Sequence, residues 1–368
     1  MRRKKADSFF LFMVITMVLV GFFIFSSAAM GQLTKDGANF IVIVSKQLAI
    51  MALGLLVMIV ASSIDYKKYR KVALPFFVIA VILSCLVLIP GLGMSAGGAK
   101  RWLLLGPLSF QPAEFLKFAM IVYLSAWLAT RKEKVKDFYN GFVPFFCLIG
   151  ILGVVLAIMQ RDTGSFLVAC LTAMTLFFMA GGRIKHLALL ALVAVLAISV
   201  LAYVRPYVRD RIVTFLNPAT DIQGASWQIN QSLIAIGSGG ITGRGFGQSL
   251  QKYNFLPEPI GDSIFAVAGE EFGFVGANMI IVFFLIFALW GIKLATKITD
   301  PFGRFLTLGF ICQVFIQATI NIGAMIGILP LTGVPLLFIS HGGTALLFTA
   351  IAGIFLKQLY ENLLSNFN

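Results

Sequence analysis

The sequence predicts an all-α, polytopic membrane protein of about ten transmembrane helices, one domain over residues 1–368, with one long loop at about 205–262. Two observations predict it. Of 368 residues, 59% are hydrophobic and only 12% charged, whereas a soluble domain carries roughly 25% charged residues. A water-soluble chain cannot hide that much apolar surface, because exposed patches beyond a few hundred Å² drive association. The apolar residues also run on without a break for stretches near the roughly 20 residues that cross a bilayer.

The first run, 8–30, follows Arg2-Arg3-Lys4-Lys5 and ends Ser26-Ser27-Ala28-Ala29. Its layout is that of a signal peptide, but the stretch exceeds the roughly 7–15 residues of such a core; it reads as the first span. Further spans are expected at 40–63, 72–90, 113–130, 141–159, 164–182, 186–204, 263–292, 303–325 and 337–357. The connections Gln160–Thr163 and Gly182–Lys185 are very short, and the eighth run is long enough to tilt or to start above the bilayer.

Basic residues crowd alternate connections: the N-terminal cluster, then Lys67, Lys68, Arg70 and Lys71, then Arg131, Lys132, Lys134 and Lys136, with further ones after spans six, eight and ten. The short connections on the other side hold only Lys35, Lys100, Arg101 and Arg161. By the positive-inside rule both termini are cytoplasmic and the long loop, whose length discounts its own charge, is extracytoplasmic. The net charge of +14 is therefore spread between spans; it forms no basic patch with interleaved aromatics, and nucleic acid is not a partner. Cys85, Cys147, Cys170 and Cys312 all lie in apolar runs, lack zinc-ligand spacing, and behave as small hydrophobes.

The long loop is the segment with room for a site, since structureless connections of that length are uncommon unless functional. Its middle, Trp227 to Ile236, has the character of a short interfacial helix. The chain shows no internal repeat, so an inverted-repeat transporter gains no support.

Ionisable residues within spans are costly and usually functional; here they are Lys46, Glu114 and Lys117. Glu114 and Lys117 are three apart and share a helix face, either as a structural pair or as part of a site. Lys46 lies roughly 9 Å, two helical turns, from the outer end of its span and is either functional or snorkelling. On the outer side Arg101, Asp162, Arg211 and their neighbours suit an anionic head group such as a lipid-linked pyrophosphate, for which guanidinium is the natural partner. Asp262 ends the long loop where the apolar run Ile264–Val267 begins. A carboxylate at a low-dielectric lip is a candidate general base, and equally a helix N-cap. Glu270-Glu271, two turns on, reads best as a polar plug satisfied by Arg or Lys from other helices.

Several strings together resemble the RodA/FtsW/SpoVE family, also called SEDS. The most specific is Asn321-Ile322-Gly323 through Leu329-Pro330-Leu331-Thr332-Gly333-Val334-Pro335 to Ser340-His341-Gly342-Gly343-Thr344. Supporting it, in order, are Gln111-Pro112-Ala113-Glu114 with Lys117, Gln160-Arg161-Asp162-Thr163-Gly164, Phe215-Leu216-Asn217-Pro218, Gln231-Ser232 through Gly240, and Leu256-Pro257-Glu258 to Asp262 with Gly269-Glu270-Glu271. The family pattern has a His two residues before the aspartate and an aromatic after it, where this chain has Ile260 and Ser263. Arg161 and His341 are further departures. The strings Gln251-Lys252 and Gly237–Gly247 lean toward the division-type (FtsW-like) member.

The resemblance implies a glycosyltransferase that polymerises lipid II, an undecaprenyl-pyrophosphate-linked disaccharide peptide, at the outer face of the bacterial cytoplasmic membrane beside a class B penicillin-binding protein. It places the catalytic carboxylate on Asp262 and the family's Glu/Lys pair on Glu114 and Lys117; further substrate contacts are expected at Arg101, Arg211, Asp162, Lys46, Gln231 and Ser232. A divalent cation, Mg or Mn, is the cofactor left open, though no D-x-D motif is present. Two rival readings are a lipid II flippase and a non-catalytic scaffold that activates a transpeptidase.

Overall fold

The computed structural model describes residues 8–33, 40–62, 64–96, 99–105, 108–131, 133–204, 206–217, 224 and 226–340. Nine of the ten expected spans are helices among these residues; the tenth, 337–357, falls almost wholly outside them, and its first residues, 337–340, form a turn. The helices are α1 (Ser8–Met30), α2 (Phe40–Ser62), α3 (Tyr66–Lys71), α4 (Ala73–Leu86), α5 (Pro112–Thr130), α6 (Val143–Leu152), α7 (Thr163–Met179), α8 (Ile184–Val204), α9 (Pro206–Leu216), α10 (Trp227–Ser238), α11 (Ile264–Thr296) and α12 (Pro301–Met325). A π-helical turn leads into α6 and a longer π stretch, Gly153–Met159, completes that span. A bilayer leaves no backbone group to be satisfied by solvent, which is why each of the nine described spans is a helix.

The connection between α4 and α5 departs from the all-α expectation. It is an antiparallel meander of β1 (Gly93–Ala96), β2 (Ala99–Leu105) and β3 (Leu108–Phe110), in that order across the sheet. The long loop is also more ordered than its composition implies. The expected helix at its centre is α10, and α9 precedes it, with Arg209 and Arg211 on a segment of low overall hydrophobicity.

At the middle of the bundle stands α12, which packs against α5, α7 and α11. Its span is 83% buried, against 11% for α2 and 12% for α8, so α2 and α8 form the periphery. Along α12 the buried residues Gln313, Gln317 and Asn321 recur every fourth position and share one face. A polar stripe on the central helix of an apolar bundle needs partners, and those of Gln317 and Asn321 shape the site below.

Helix starts use aspartate where the sequence supplies it. Asp65 accepts from the Lys67 N–H at 2.9 Å, Asp162 from the Ser165 N–H at 3.0 Å, and Asp300 from the Gly303 N–H at 2.9 Å, each satisfying an orphan donor of the first turn.

Helix α11 is broken at Gly273, whose φ of 64° and ψ of −164° fit only glycine. Its bare Cα abuts the Gly243 amide and lies where an added Cβ would stand 2.6 Å from the Ile241 carbonyl oxygen. Gly273→Ala is therefore expected to destabilise the protein by about 1–3 kcal/mol from backbone strain, with crowding added. A thermal melt in detergent measures it, and an unchanged midpoint would mean that the break tolerates a side chain.

The outer part of α11 is fastened to the long loop by the two glutamates. Glu270 accepts from the Ser249 hydroxyl at 2.6 Å and from the backbone amides of Leu250 (3.0 Å) and Gln251 (3.2 Å), with Arg244 3.6 Å away. Glu271 pairs with Lys252 at 2.8 Å and accepts from Ser27 of α1 at 2.5 Å. The plug reading of this pair describes the geometry, except that its cations come from the loop rather than from neighbouring helices.

Candidate functional site

The segment Leu256–Ser263 turns back on itself before α11. Glu258 takes a left-handed φ of 46°, and its carbonyl accepts the N–H groups of Gly261 (2.9 Å) and Ser263 (3.3 Å). This turn delivers Asp262 to the outer end of α11. The N-cap of α11 is Ser263, with no side-chain cap bond. Asp262 thus differs from Asp65, Asp162 and Asp300: its carboxylate is not spent on a helix start. Oδ1 instead accepts a hydrogen bond from the Gln228 side-chain amide of α10 at 3.1 Å, and the same nitrogen lies 3.1 Å from Ser263 Oγ.

The backbone around Asp262 is held from two further directions. Asn321 of α12 donates through Nδ2 to the Asp262 carbonyl at 2.7 Å and to the Val334 carbonyl at 2.8 Å. The Ser340 hydroxyl donates to the Gly261 carbonyl at 2.7 Å and accepts from the Leu336 amide at 2.8 Å. Gly333 sits at a φ of 68°, and a Cβ there would stand 3.6 Å from Asp262 Oδ2. Any larger side chain would be strained and would grow across that oxygen. The 321–340 string is thus the frame of the aspartate.

Gln228 is also one wall of a cavity of about 440 Å³ bordered by Asp210 and Arg211 of α9, Ile229 and Leu233 of α10, and Leu329 to Leu331. The lining is largely apolar, with the Arg211 guanidinium, the Asp210 carboxylate, Thr214 and Gln228 as its polar groups, which suits an amphiphile with a polar head. Burial pushes the Asp262 carboxyl up to about 6; the Gln228 hydrogen bond and the Arg211 charge oppose this, and the Glu258 charge adds to it. A carboxylate poised there is ionised at neutral pH yet basic enough to take a proton.

The remaining residues expected to touch substrate are placed otherwise. Glu114 and Lys117 form a 2.7 Å ion pair, Lys117 being fully enclosed. The ammonium also donates to Gln317 Oε1 at 2.9 Å, and Gln317 Nε2 donates to the Pro335 carbonyl at 3.0 Å. Through Gln317, Lys117 thus reaches the 331–335 segment. Asp162 is taken up by its cap and by the Ser165 hydroxyl at 2.9 Å. Arg101, on β2, donates to the Arg161 carbonyl at 2.6 Å and links the sheet to the α6–α7 connection. Gln231 and Ser232 point into the packing of α10, with Ser232 donating to the Gln228 carbonyl at 2.8 Å. Lys46 is on the outward face of α2, next to the buried Gln47, as a snorkelling lysine would be.

Gln228 was the residue that pattern reading passed over. Its neighbours Trp227 and Gln231 marked the segment, but nothing local says that an amide on α10 will meet a carboxylate 34 residues later. Among the described residues no group of three or more His, Cys, Asp or Glu converges to hold a metal ion.

The chain matches the family model described as cell cycle protein, FtsW/RodA/SpoVE, over residues 7–363. It is 36% identical to stage V sporulation protein E of Bacillus subtilis, over 94% of this chain and 95% of that one. It is 38% identical to a probable peptidoglycan glycosyltransferase FtsW of Geobacter metallireducens, over 96% and 94%. Among solved structures, a chain of a peptidoglycan synthase complex superposes with a TM-score of 0.79 at 24% identity, covering 97% of this chain and 98% of that one. The rod shape determining protein RodA of Thermus thermophilus, in an aspartate-to-alanine variant, does so with a TM-score of 0.72, also at 24% identity and with coverages of 97% and 98%. Whole-chain matches of this kind, on a helical membrane fold, mean that the chain belongs to the FtsW/RodA/SpoVE family of cell cycle proteins.

Proposed function

We propose that this protein is an inverting peptidoglycan glycosyltransferase that polymerises lipid II at the outer face of the cytoplasmic membrane, with both termini cytoplasmic and a class B penicillin-binding protein as partner. The observation that carries the reading is the state of Asp262: uncapped, turned to Gln228, raised in basicity, and held beside a cavity that contains Arg211. The FtsW relatives, probable peptidoglycan glycosyltransferases, support the reaction class, and the peptidoglycan synthase complex supports the partner.

In the reaction, Asp262 takes the proton of an acceptor sugar hydroxyl while that oxygen forms a bond to the anomeric carbon of the donor. The bond from that carbon to the pyrophosphate oxygen breaks, and its electron pair leaves with the lipid pyrophosphate. One displacement needs one base and no covalent intermediate, unlike the two carboxylates of a retaining hydrolase. Arg211 is the side chain placed to neutralise the departing charge. A divalent cation, if used, would be brought by the pyrophosphate, as Mg²⁺ often is by substrate phosphates.

The test is polymerisation of labelled lipid II by the purified chain with its transpeptidase. Glycan strands are expected. Their absence, beside an active FtsW control, would leave the flippase or scaffold reading in its place.

The raised carboxyl predicts the pH dependence. Only the ionised form is a base, so the rate should be level near neutrality and fall about tenfold per pH unit below about 6. Stability runs the other way. The native state holds this proton more tightly than the unfolded chain, whose carboxyl titrates near about 4, so this group's contribution falls as pH rises from about 4 through 6. Rates measured across that range check the first statement, and a rate that stays level below pH 5 would contradict it.

A further inference from the structure

We infer that Gln228 is a positioning residue for Asp262, holding Oδ1 so that Oδ2 is the oxygen that receives the acceptor's proton. The inference rests on the reading of Asp262 as the base and specifies how that base is aimed.

A side-chain carboxylate turns easily about its last bond, and its two oxygens are equivalent unless something distinguishes them. Here one hydrogen-bond donor does so. Gln228 Nε2 carries two N–H groups and has two acceptors, Asp262 Oδ1 and Ser263 Oγ, each at 3.1 Å. An ionised carboxylate only accepts, which fixes the amide with its nitrogen toward Oδ1. The Gln228 main-chain carbonyl accepts the Ser232 hydroxyl one turn along α10 at 2.8 Å, in the stretch of helix from which the amide projects. Oδ2 lies beside Gly333, where no side chain intervenes. Gln228 itself borders the cavity, so the aimed carboxylate and the space for a substrate share a wall.

The other charges acting on Asp262 are Glu258, on the same turn, and Arg211, on α9. Glu258, an acid, raises the carboxyl and Arg211 lowers it, each through its charge, whereas Gln228 meets Oδ1 by a directed hydrogen bond. Without Gln228 the carboxylate loses its preferred rotation and part of the stabilisation of its ionised form. A residue that merely packed α10 would affect stability and leave the titration of the rate alone.

The experiment compares wild type, Gln228→Met, Gln228→Glu and Asp262→Asn, each as the full chain with its transpeptidase, in steady-state polymerisation of labelled lipid II across a pH series. For Gln228→Met, kcat should fall about 10- to 100-fold, KM should stay within about twofold, and the acid limb of the rate should move up by about one pH unit. Gln228→Glu sets a second carboxylate against Oδ1 and should move that limb further; it also serves if the methionine variant does not fold. An unmoved acid limb with wild-type kcat in a folded Gln228 variant, while Asp262→Asn is inactive, would overturn the inference alone. Activity retained by Asp262→Asn would overturn the reading beneath it.

Discussion

Asparagine at position 262 is expected to lower polymerisation by about 10²- to 10⁴-fold, the range that general-base catalysis supplies, while the protein stays folded. The structure gives both halves of this expectation. Asparagine has nearly the same shape, and the backbone bonds from Asn321 to the residue 262 carbonyl and from Ser340 to the Gly261 carbonyl do not involve the side chain. No cap is lost, because the cap of α11 is Ser263. Burial disfavours the charge that is removed, so the melting temperature at neutral pH should be equal to wild type or higher. Polymer yield and a thermal melt on the same preparation make the measurement. Undiminished polymer would move the base elsewhere, first to Glu258 on the same turn. Loss of polymer with a lowered melting temperature would instead make the aspartate structural.

The second large effect concerns Lys117. Replacing it with methionine leaves Glu114 enclosed without its cation, and Glu114 Oε2 has no hydrogen-bond partner to fall back on. Breaking one side of a buried pair costs about 3–5 kcal/mol, because the surviving charge stays out of water, whereas removing both charges is often close to neutral. Lys117→Met should therefore unfold markedly earlier than wild type, and Glu114→Gln with Lys117→Met should recover most of the loss. Denaturation of the three proteins in one detergent decides it; equal loss in single and double variants would mean that the pair itself carries the stability. The double variant has a second use. If it is stable but makes no polymer, the chemistry needs the pair, either directly or through its hold on Gln317 and the 331–335 segment.

Much of this was legible in the sequence because the membrane enforces it. A run of apolar residues long enough to cross hydrocarbon can only be a helix, so nine spans among the described residues fall close to their expected positions. The meander Gly93–Phe110 was not legible: its strands are short and their pairing is set by a tight connection between two spans. Helix α9 was hidden by the polar character of Arg209, Asp210 and Arg211, which reads as loop when the apolar surface it meets lies elsewhere in the chain.

The site divides along the same line. Asp262 could be picked out because it stands where polar loop becomes apolar helix, a local signal. Whether it caps α11 or serves as a base could not be settled locally, since both use the same residue at the same place. The answer lies in Gln228, Asn321 and Gly333, brought from other helices and segments. Lys117, Arg101 and Asp162 show the same limit. Their charges were visible, but the partners that engage them, Gln317, the Arg161 carbonyl and Ser165, included long-range ones that no spacing rule reveals.

The fastening of residues 244–252 to Glu270 and Glu271 bears on how traffic is arranged around the aspartate. A hinged lid needs a surface that parts from its seat at small cost, and this stretch would leave two enclosed carboxylates stripped of their donors if it lifted, at several kcal/mol each. It is a fixed wall. The cavity beside Gln228 is bordered by other segments, α9, α10 and Leu329 to Leu331, so a substrate there need not disturb this fastening.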